Sequence, residues 1–250
     1  MTEFTIKLAG RIAAVRAIFP GTREHCREYL CEDSPEFSVE ISMEDIDFER
    51  KKSEQEDRLE GIEVRKFSDA YLETVAVQRK IAEKLFAYDV LLFHGSVIAV
   101  DGEAFLFTAK SGTGKSTHTR LWRQVLGERA VMVNDDKPFL CVTEQCVLAC
   151  GSPWNGKHGL GRNLSVPLRA VCILERGAEN RIRSISAKEA LPMLLQQSNR
   201  PMDPKLLPKY LELLDGLASN VAFYRLACNM EPQAALVSYH TMSASGKDEE

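Results

Sequence analysis

The chain has 250 residues, 44% of them hydrophobic and 27% charged, which excludes a disordered or fibrous protein. No uncharged run approaches the ~20 apolar residues of a membrane helix, and Glu3, Lys7, Arg11 and Arg16 interrupt the N-terminus, so it does not read as a signal peptide. A net charge of −4 argues against bulk nucleic-acid binding, and seven cysteines with no secretion signal read as reduced thiols of a cytoplasmic protein.

In chain order, Phe4–Leu8 and Ile12–Phe19 alternate as strands do. Thr22 is placed to cap a short helix reaching Leu30, and Phe37–Ile41 reads as a third strand. Residues 32–60 hold twelve acids against four bases, and from Asp45 to Gly61 they read as a loop or a solvated strand. Ser68 caps a helix running to about Tyr88, with Tyr71, Leu72, Val75, Ile81, Leu85 and Phe86 roughly on one stripe. A seam near residue 61 divides a small acidic N-terminal α+β segment, 1–61, from a main domain, 62–242, with a frayed polar tail at 243–250.

Leu91–Val100 and the run ending at Thr108 are both apolar, and Asp101-Gly102 between them marks a two-residue hairpin. The second strand leads into Ala109-Lys110-Ser111-Gly112-Thr113-Gly114-Lys115-Ser116-Thr117 and then a helical stretch with Leu121, Trp122, Val125 and Leu126. Strand, glycine-rich loop, GKST and helix is the pattern of a phosphate-binding loop (P-loop). Gly112 and Gly114 let backbone N–H groups approach a phosphate, which the helix N-terminus also favours. Lys115 would reach the β- and γ-phosphates of ATP, and Ser116 would offer its hydroxyl to Mg²⁺. The usual first glycine of the loop is here Ala109. Because a tight turn feeds the strand, its immediate neighbour should be antiparallel, which disfavours a fold with a central parallel sheet.

Ala130–Val133 is a short strand ending in Asn134-Asp135-Asp136. Beside such a loop, one acid would hold Mg²⁺, Asp136 by preference. The other, Asp135 by preference, would accept a proton from an incoming hydroxyl. A plain polar turn between hairpin strands is the alternative. The stretch Ser152–Asn163 is a long glycine-rich loop whose Lys157 or Arg162 would meet phosphate charge, folded over nucleotide or acceptor. Trp154 would plug a core edge or stack on a base. The stretch 157–183, with Lys157, Arg162, Arg169, Arg176, Arg181 and Arg183, is basic. Cys141, Cys146 and Cys150 lack zinc-site spacing and sit in an apolar strand pair, and Cys172 and Cys228 read as core. Helices are expected at Leu191–Gln197 behind a capping box of Ser186 and Glu189, at Leu206–Leu214 before Gly216, both with leucines packed inward, and from Pro232 to about Met242.

His94-Gly95-Ser96, the Asp-Gly hairpin, Ser111–Ser116 and the Asp135-Asp136 pair together resemble the catalytic domain of HPr kinase/phosphorylase, which shares its fold with phosphoenolpyruvate carboxykinase. The resemblance is close over roughly 90–140. It implies an α/β fold of mixed, largely antiparallel sheets with the P-loop at a sheet edge. It also implies phosphorylation of a hydroxyl at the expense of ATP, with an aspartate as proton acceptor and His94 near the transferred phosphate. Thr117 stands where that family usually has an acid, the family's downstream signature is not found near Pro167–Gly177, and a shorter, acidic segment stands in place of its long N-terminal domain. The phosphorylase activity and the HPr substrate are therefore not carried over. The expected function is an ATP- and Mg²⁺-dependent kinase acting on a protein, peptide or small-molecule hydroxyl; the alternative is a nucleotide-binding switch that engages a partner without phosphotransfer. Neither nucleic acid nor membrane is an expected partner, and a homo-oligomer is left open.

Overall fold

The computed structural model describes residues 1–156 and 158–244. The chain forms two compact units, Met1–Tyr88 and the remainder from Asp89 onward. The seam expected near residue 61 falls inside the first of these, between two helices.

In the first unit, β1 (Thr2–Leu8) and β2 (Arg11–Ala17) form an antiparallel hairpin, and β3 (Phe37–Glu40) joins β2 in parallel. Helix α1 (Pro20–His25) follows β2. Thr22 does not cap it: the N-cap is Phe19, and the Thr22 hydroxyl donates instead to buried Glu73. The same carboxylate accepts from the Ile18 and Phe19 amides at 2.5 and 3.1 Å, satisfying donors at the start of α1.

Residues expected as loop or solvated strand are an 18-residue helix, α2 (Met43–Glu60). Ser42 and Asp45 form a capping box, and Gly61 closes the helix in the left-handed conformation, φ 69°. Between these signals lie Glu, Lys, Arg and Gln, good helix formers. The inward face is charged, so apolar periodicity is absent. Ile46 is buried beside Glu49 and Asp57. Arg79 of α3 (Asp69–Leu85) meets Glu49 at 2.5 Å and Asp45 at 3.2 Å, and Arg65 meets Asp57 at 2.6 Å. Ser68 caps α3 as expected, and the Tyr71 end of the proposed stripe is exposed.

The second unit runs β4 (Val90–Leu92), β5 (Ser96–Val100), β6 (Glu103–Thr108), α4 (Lys115–Leu126), β7 (Ala130–Asn134), β8 (Phe139–Val142), β9 (Val147–Cys150), β10 (Ser165–Arg176), β11 (Arg181–Ile185), α5 (Ala187–Gln197), α6 (Leu207–Asn220), β12 (Ala222–Cys228) and α7 (Pro232–Ala244). The strands form a nine-stranded mixed sheet in the order β4-β8-β9-β10-β6-β5-β7, with β12 beside β10 and β11 beside β12. Among the described residues six of its eight pairings are antiparallel, so the expected α/β architecture of mixed, largely antiparallel strands is observed.

The apolar run from Leu91 to Val100 is two strands. β4 pairs β8, whereas β5 pairs β6 and β7, and the chain crosses over at Phe93-His94-Gly95. Gly95 fits tightly there: a Cβ would lie 3.0–3.1 Å from Leu106 Cδ2 and Phe107 O. The Asp101-Gly102 turn is present, with φ of 52° and 86°, and β6 is antiparallel to β5. The edge placement is overturned. On its other side β6 pairs in parallel with β10, so the strand entering the glycine-rich loop is interior. β10 begins some sixty residues later, and no turn chemistry near β6 announces it.

α4 packs beneath the sheet, with Trp122 fully buried between Phe105 and Phe107, ring centroids 5.1 Å from each. α6 extends past the expected stop through Gly216, where a Cβ would come within 2.7 Å of Val142 Cγ1. The leucines do not all pack inward: Leu194, Leu213 and Leu214 are buried, but Leu191, Leu195 and Leu211 are exposed. Ser186 caps α5, while Glu189 pairs with Arg183 rather than closing the capping box. The strand-pair cysteines follow expectation, and burial pushes the Cys150 thiol up to about 11. Trp154 is buried and meets Phe139 edge-on at 6.3 Å, so it fills the core and is not free to stack on a base. Most of the expected tail, together with Lys157, lies outside the described residues. No described helix is long and apolar enough to cross a membrane.

Candidate functional site

β6 ends at Thr108, the chain turns through Ala109–Gly114, and α4 begins at Lys115. Gly112 and Gly114 have φ of 74° and 122°, backbone conformations that side chains with a Cβ rarely adopt. Ser111, Gly112 and Ser116 are exposed, and Thr113, Gly114 and Thr117 are half-buried. Lys115 is buried with its Nζ donating to Ala109 O at 3.3 Å. Burial lowers its pKa, opposed by the charge of Asp136.

The Asp135-Asp136 pair follows β7, two strands away from β6 across β5. Three backbone braces fix it. Gly95 N–H donates to Asp136 O at 3.0 Å, and the Ser96 hydroxyl donates to Asp135 O at 3.2 Å. Asn134 Oδ1 accepts from the Asp136 and Lys137 amides at 2.8 and 2.7 Å, the geometry of an Asx turn. Asn134 Nδ2 donates in turn to the Ser152 hydroxyl at 3.0 Å. The residue is wholly buried, so it clamps both the acidic turn and the start of the 152–163 loop. These residues do form a polar turn, but not between hairpin strands: β7 pairs β5, whereas β8 pairs β4 and β9, and the turn orients the two acids.

The acids differ in surroundings. Asp135 is buried, and its Oδ1 accepts from Gly156 N–H at 2.5 Å. A Cβ on Gly156 would lie 2.7–2.8 Å from that carboxylate, so only glycine permits the contact. The Asp136 side chain keeps 40% of its exposure and lies 3.4 Å from His94 Nε2. Burial raises its pKa, as does the charge of Asp135, against the lowering fields of Lys137 and Lys115. The His94 contact is not an ion pair. Burial and the nearby Lys137 and Lys115 push the imidazole down to about 3, so it is neutral at pH 7.

Two clefts flank the start of α4. One, of about 620 Å³, is lined by Gly112, Thr113, Thr117, Leu121, Arg176 and Met230 among others. Arg176, at the end of β10, donates to Gly112 O at 2.7 Å and so sets a cation on the loop. Sequence reasoning placed Arg176 only in a broad basic stretch; its adjacency follows from the parallel β6–β10 pairing. The second cleft, of about 590 Å³, is lined by Ser116, Arg120, Arg123, Asp135, His158 and Leu160 among others. Residues of the 152–163 loop therefore border the site, but Arg162 is exposed, lines neither cleft, and is tied to β7 through its amide to Val133 O at 3.1 Å. The structure thus gathers His94, Lys115, Asp135 and Asp136 from three separate stretches of chain.

Among curated proteins none matches the chain. Among solved structures it is similar to the Hpr(Ser) kinase/phosphatase from Coxiella burnetii, with 14% identity and a TM-score of 0.36, over 62% of this chain and 99% of that one. That likeness is too loose to bear on the site. A family model described as SynChlorMet cassette protein ScmC matches residues 62–236. The matched stretch holds the glycine-rich loop, the paired acids and both clefts, and it spans well over half of the sequence: the chain belongs to the SynChlorMet cassette protein ScmC family.

Proposed function

We propose that the second unit is an ATP-dependent, Mg²⁺-dependent kinase that transfers the γ-phosphoryl group to a hydroxyl. The observation that carries this reading is the gathering of Lys115, at the mouth of a positive-φ glycine loop, with two acids from another strand. The loop's N–H groups and the first turn of α4 favour a triphosphate. Lys115 neutralises its β- and γ-oxygens, and Arg176 adds charge at the loop's rim.

The residues fit a magnesium ion. Ser116 exposes its hydroxyl on the first turn of α4. Asp136 is a carboxylate whose charge is disfavoured by burial and by its neighbour Asp135, a condition that a divalent cation relieves. When bound, the ion offsets charge on the phosphate oxygens. Asp135 lines a cleft open to an acceptor, and Gly156 fixes one of its oxygens. It takes the hydroxyl proton as the acceptor oxygen bonds to the γ-phosphorus. The bond from that phosphorus to the bridging oxygen breaks, and ADP leaves. His94, neutral beside Asp136, positions that carboxylate. The second acid favours transfer over a binding switch, which needs a metal ligand but no base.

The test measures ATP affinity and transfer from γ-labelled ATP into acceptor pools. Lys115→Ala should weaken ATP binding. Asp135→Asn should keep ATP and lower transfer by about 10²–10⁴-fold. Wild-type values in both variants would contradict the assignment.

A further inference from the structure

The cleft beside Asp135 contains two cations that the kinase chemistry does not use. Ser116, Arg120 and Arg123 are spaced four and three residues apart, so they share one face of α4. Most arginines of the chain hold a partner: Arg16 with Glu3, Arg79 with Glu49, Arg129 with Asp101, Arg169 with Glu103, Arg225 with Glu175. Among the described residues Arg120 and Arg123 form neither a hydrogen bond nor an ion pair with any side chain. Two like charges three residues apart repel by a few tenths of a kcal/mol. They lie with Asp135, Met132 and His158 in a cleft of about 590 Å³, a volume usual for a small ligand or a few residues of a peptide.

We infer that this cleft seats the phosphate acceptor and that the acceptor carries a carboxylate gripped by Arg120 and Arg123, with its hydroxyl at the Ser116–Asp135 end. The inference rests on the kinase reading for the hydroxyl's fate, but not for the carboxylate grip. Paired guanidinium groups bind carboxylates through charge-assisted, often bidentate hydrogen bonds. The rise along α4 puts Arg120 about 6 Å and Arg123 about 10 Å beyond Ser116. A hydroxyl and a carboxylate on adjacent residues of a peptide span such a gap, and those of a small hydroxy acid fit where the arginine side chains lean back toward the helix N-terminus. Met132 and Leu160 supply apolar wall. The transfer itself is the one given above: the acceptor oxygen gains the phosphoryl group from ATP, its proton passes to Asp135, and ADP departs.

The probes are N-acetyl-Ser-Glu-amide and glycerate, each beside its uncharged counterpart, N-acetyl-Ser-Gln-amide and glycerol. Calorimetry without nucleotide reads the carboxylate grip alone; transfer from γ-labelled ATP reads the whole. The expected result is at least tenfold preference for one acidic probe, the peptide or the small acid identifying the source. Arg120→Gln with Arg123→Gln should erase that preference, Arg120→Lys with Arg123→Lys should retain part of it, and ATP affinity should stay within about twofold in both. Absence of binding by either acidic probe, or a preference that survives the glutamine variant, overturns the inference. So does loss of ATP affinity with the preference intact, since the arginines would then serve the nucleotide. Failure of wild-type protein to bind MgATP contradicts the kinase reading instead, and leaves the calorimetric result to decide the grip.

Discussion

His118 shows how one residue's charge state is set by what surrounds it. It is 2% exposed on α4, with Phe107 at 4.7 Å, Ser238 Oγ 3.0 Å from its Nε2 and Trp122 Nε1 3.2 Å from the same nitrogen. Burial lowers its pKa to about 4. The unfolded chain, with an ordinary histidine near 6.5, takes up this proton first as pH falls. The stabilising contribution is therefore complete above about pH 6.5 and is lost progressively toward pH 4. Thermal unfolding followed across that range should show a falling midpoint, and His118→Gln should flatten the slope even though it loses aromatic packing. Glu73 is a buried acid held by three donors. Glu73→Ala should cost on the order of 3 kcal/mol by leaving those donors unsatisfied, measured by chemical denaturation. The sequence offered no sign of either environment, because Glu73 is held by groups more than fifty residues away and His118 meets Ser238, 120 residues on. What it does offer at this scale is local: Ser68, Ser186 and Asp101-Gly102 act as read, since caps and tight turns are specified by neighbours in sequence.

At the scale of elements, the turn after β7 and the loop after β9 form one device. Asn134 clamps both, and Gly156 brings a backbone donor against Asp135. Gly156→Ala should lower phosphotransfer by at least tenfold while shifting the unfolding midpoint little, because the new Cβ displaces the half-buried Gly156 turn or the Asp135 carboxylate rather than an apolar core contact. An unchanged transfer rate would show that Asp135 needs no such support. α2 marks the limit of sequence reading for an element. Its inward face is made of acids satisfied by Arg79, Lys80 and Arg65, so hydrophobic periodicity was silent while Ser42, Asp45 and Gly61 spelled out its ends. The interior position of β6 was equally hidden, because its parallel neighbour β10 is distant in sequence. The glycine turn and the start of α4 at Lys115 were legible, since those residues are contiguous in sequence. Arg176 was not, because only sheet pairing brings it to Gly112.

For the whole molecule, the family match begins at residue 62 and ends at 236, while the compact units divide after Tyr88. α3 thus belongs to the matched stretch by sequence and to the first unit by packing. The uneven charge also gains a structural meaning. Most of the twelve acids of 32–60 lie on a helix, and Asp45, Glu49 and Asp57 among them are paired within their own unit. Among the described residues, charge without a side-chain partner lies in the second unit at Arg120 and Arg123, in the cleft with Asp135. If that unit binds MgATP, saturating nucleotide raises stability by mass action, about 2.7 kcal/mol at a hundredfold excess over Kd. The most direct measurement is calorimetric titration of ATP into wild-type and Lys115→Ala protein, with and without Mg²⁺. Saturable binding to the wild type that needs Mg²⁺ and drops at least tenfold in Lys115→Ala is the predicted result; no binding, or equal binding by both proteins, contradicts the phosphate-loop assignment.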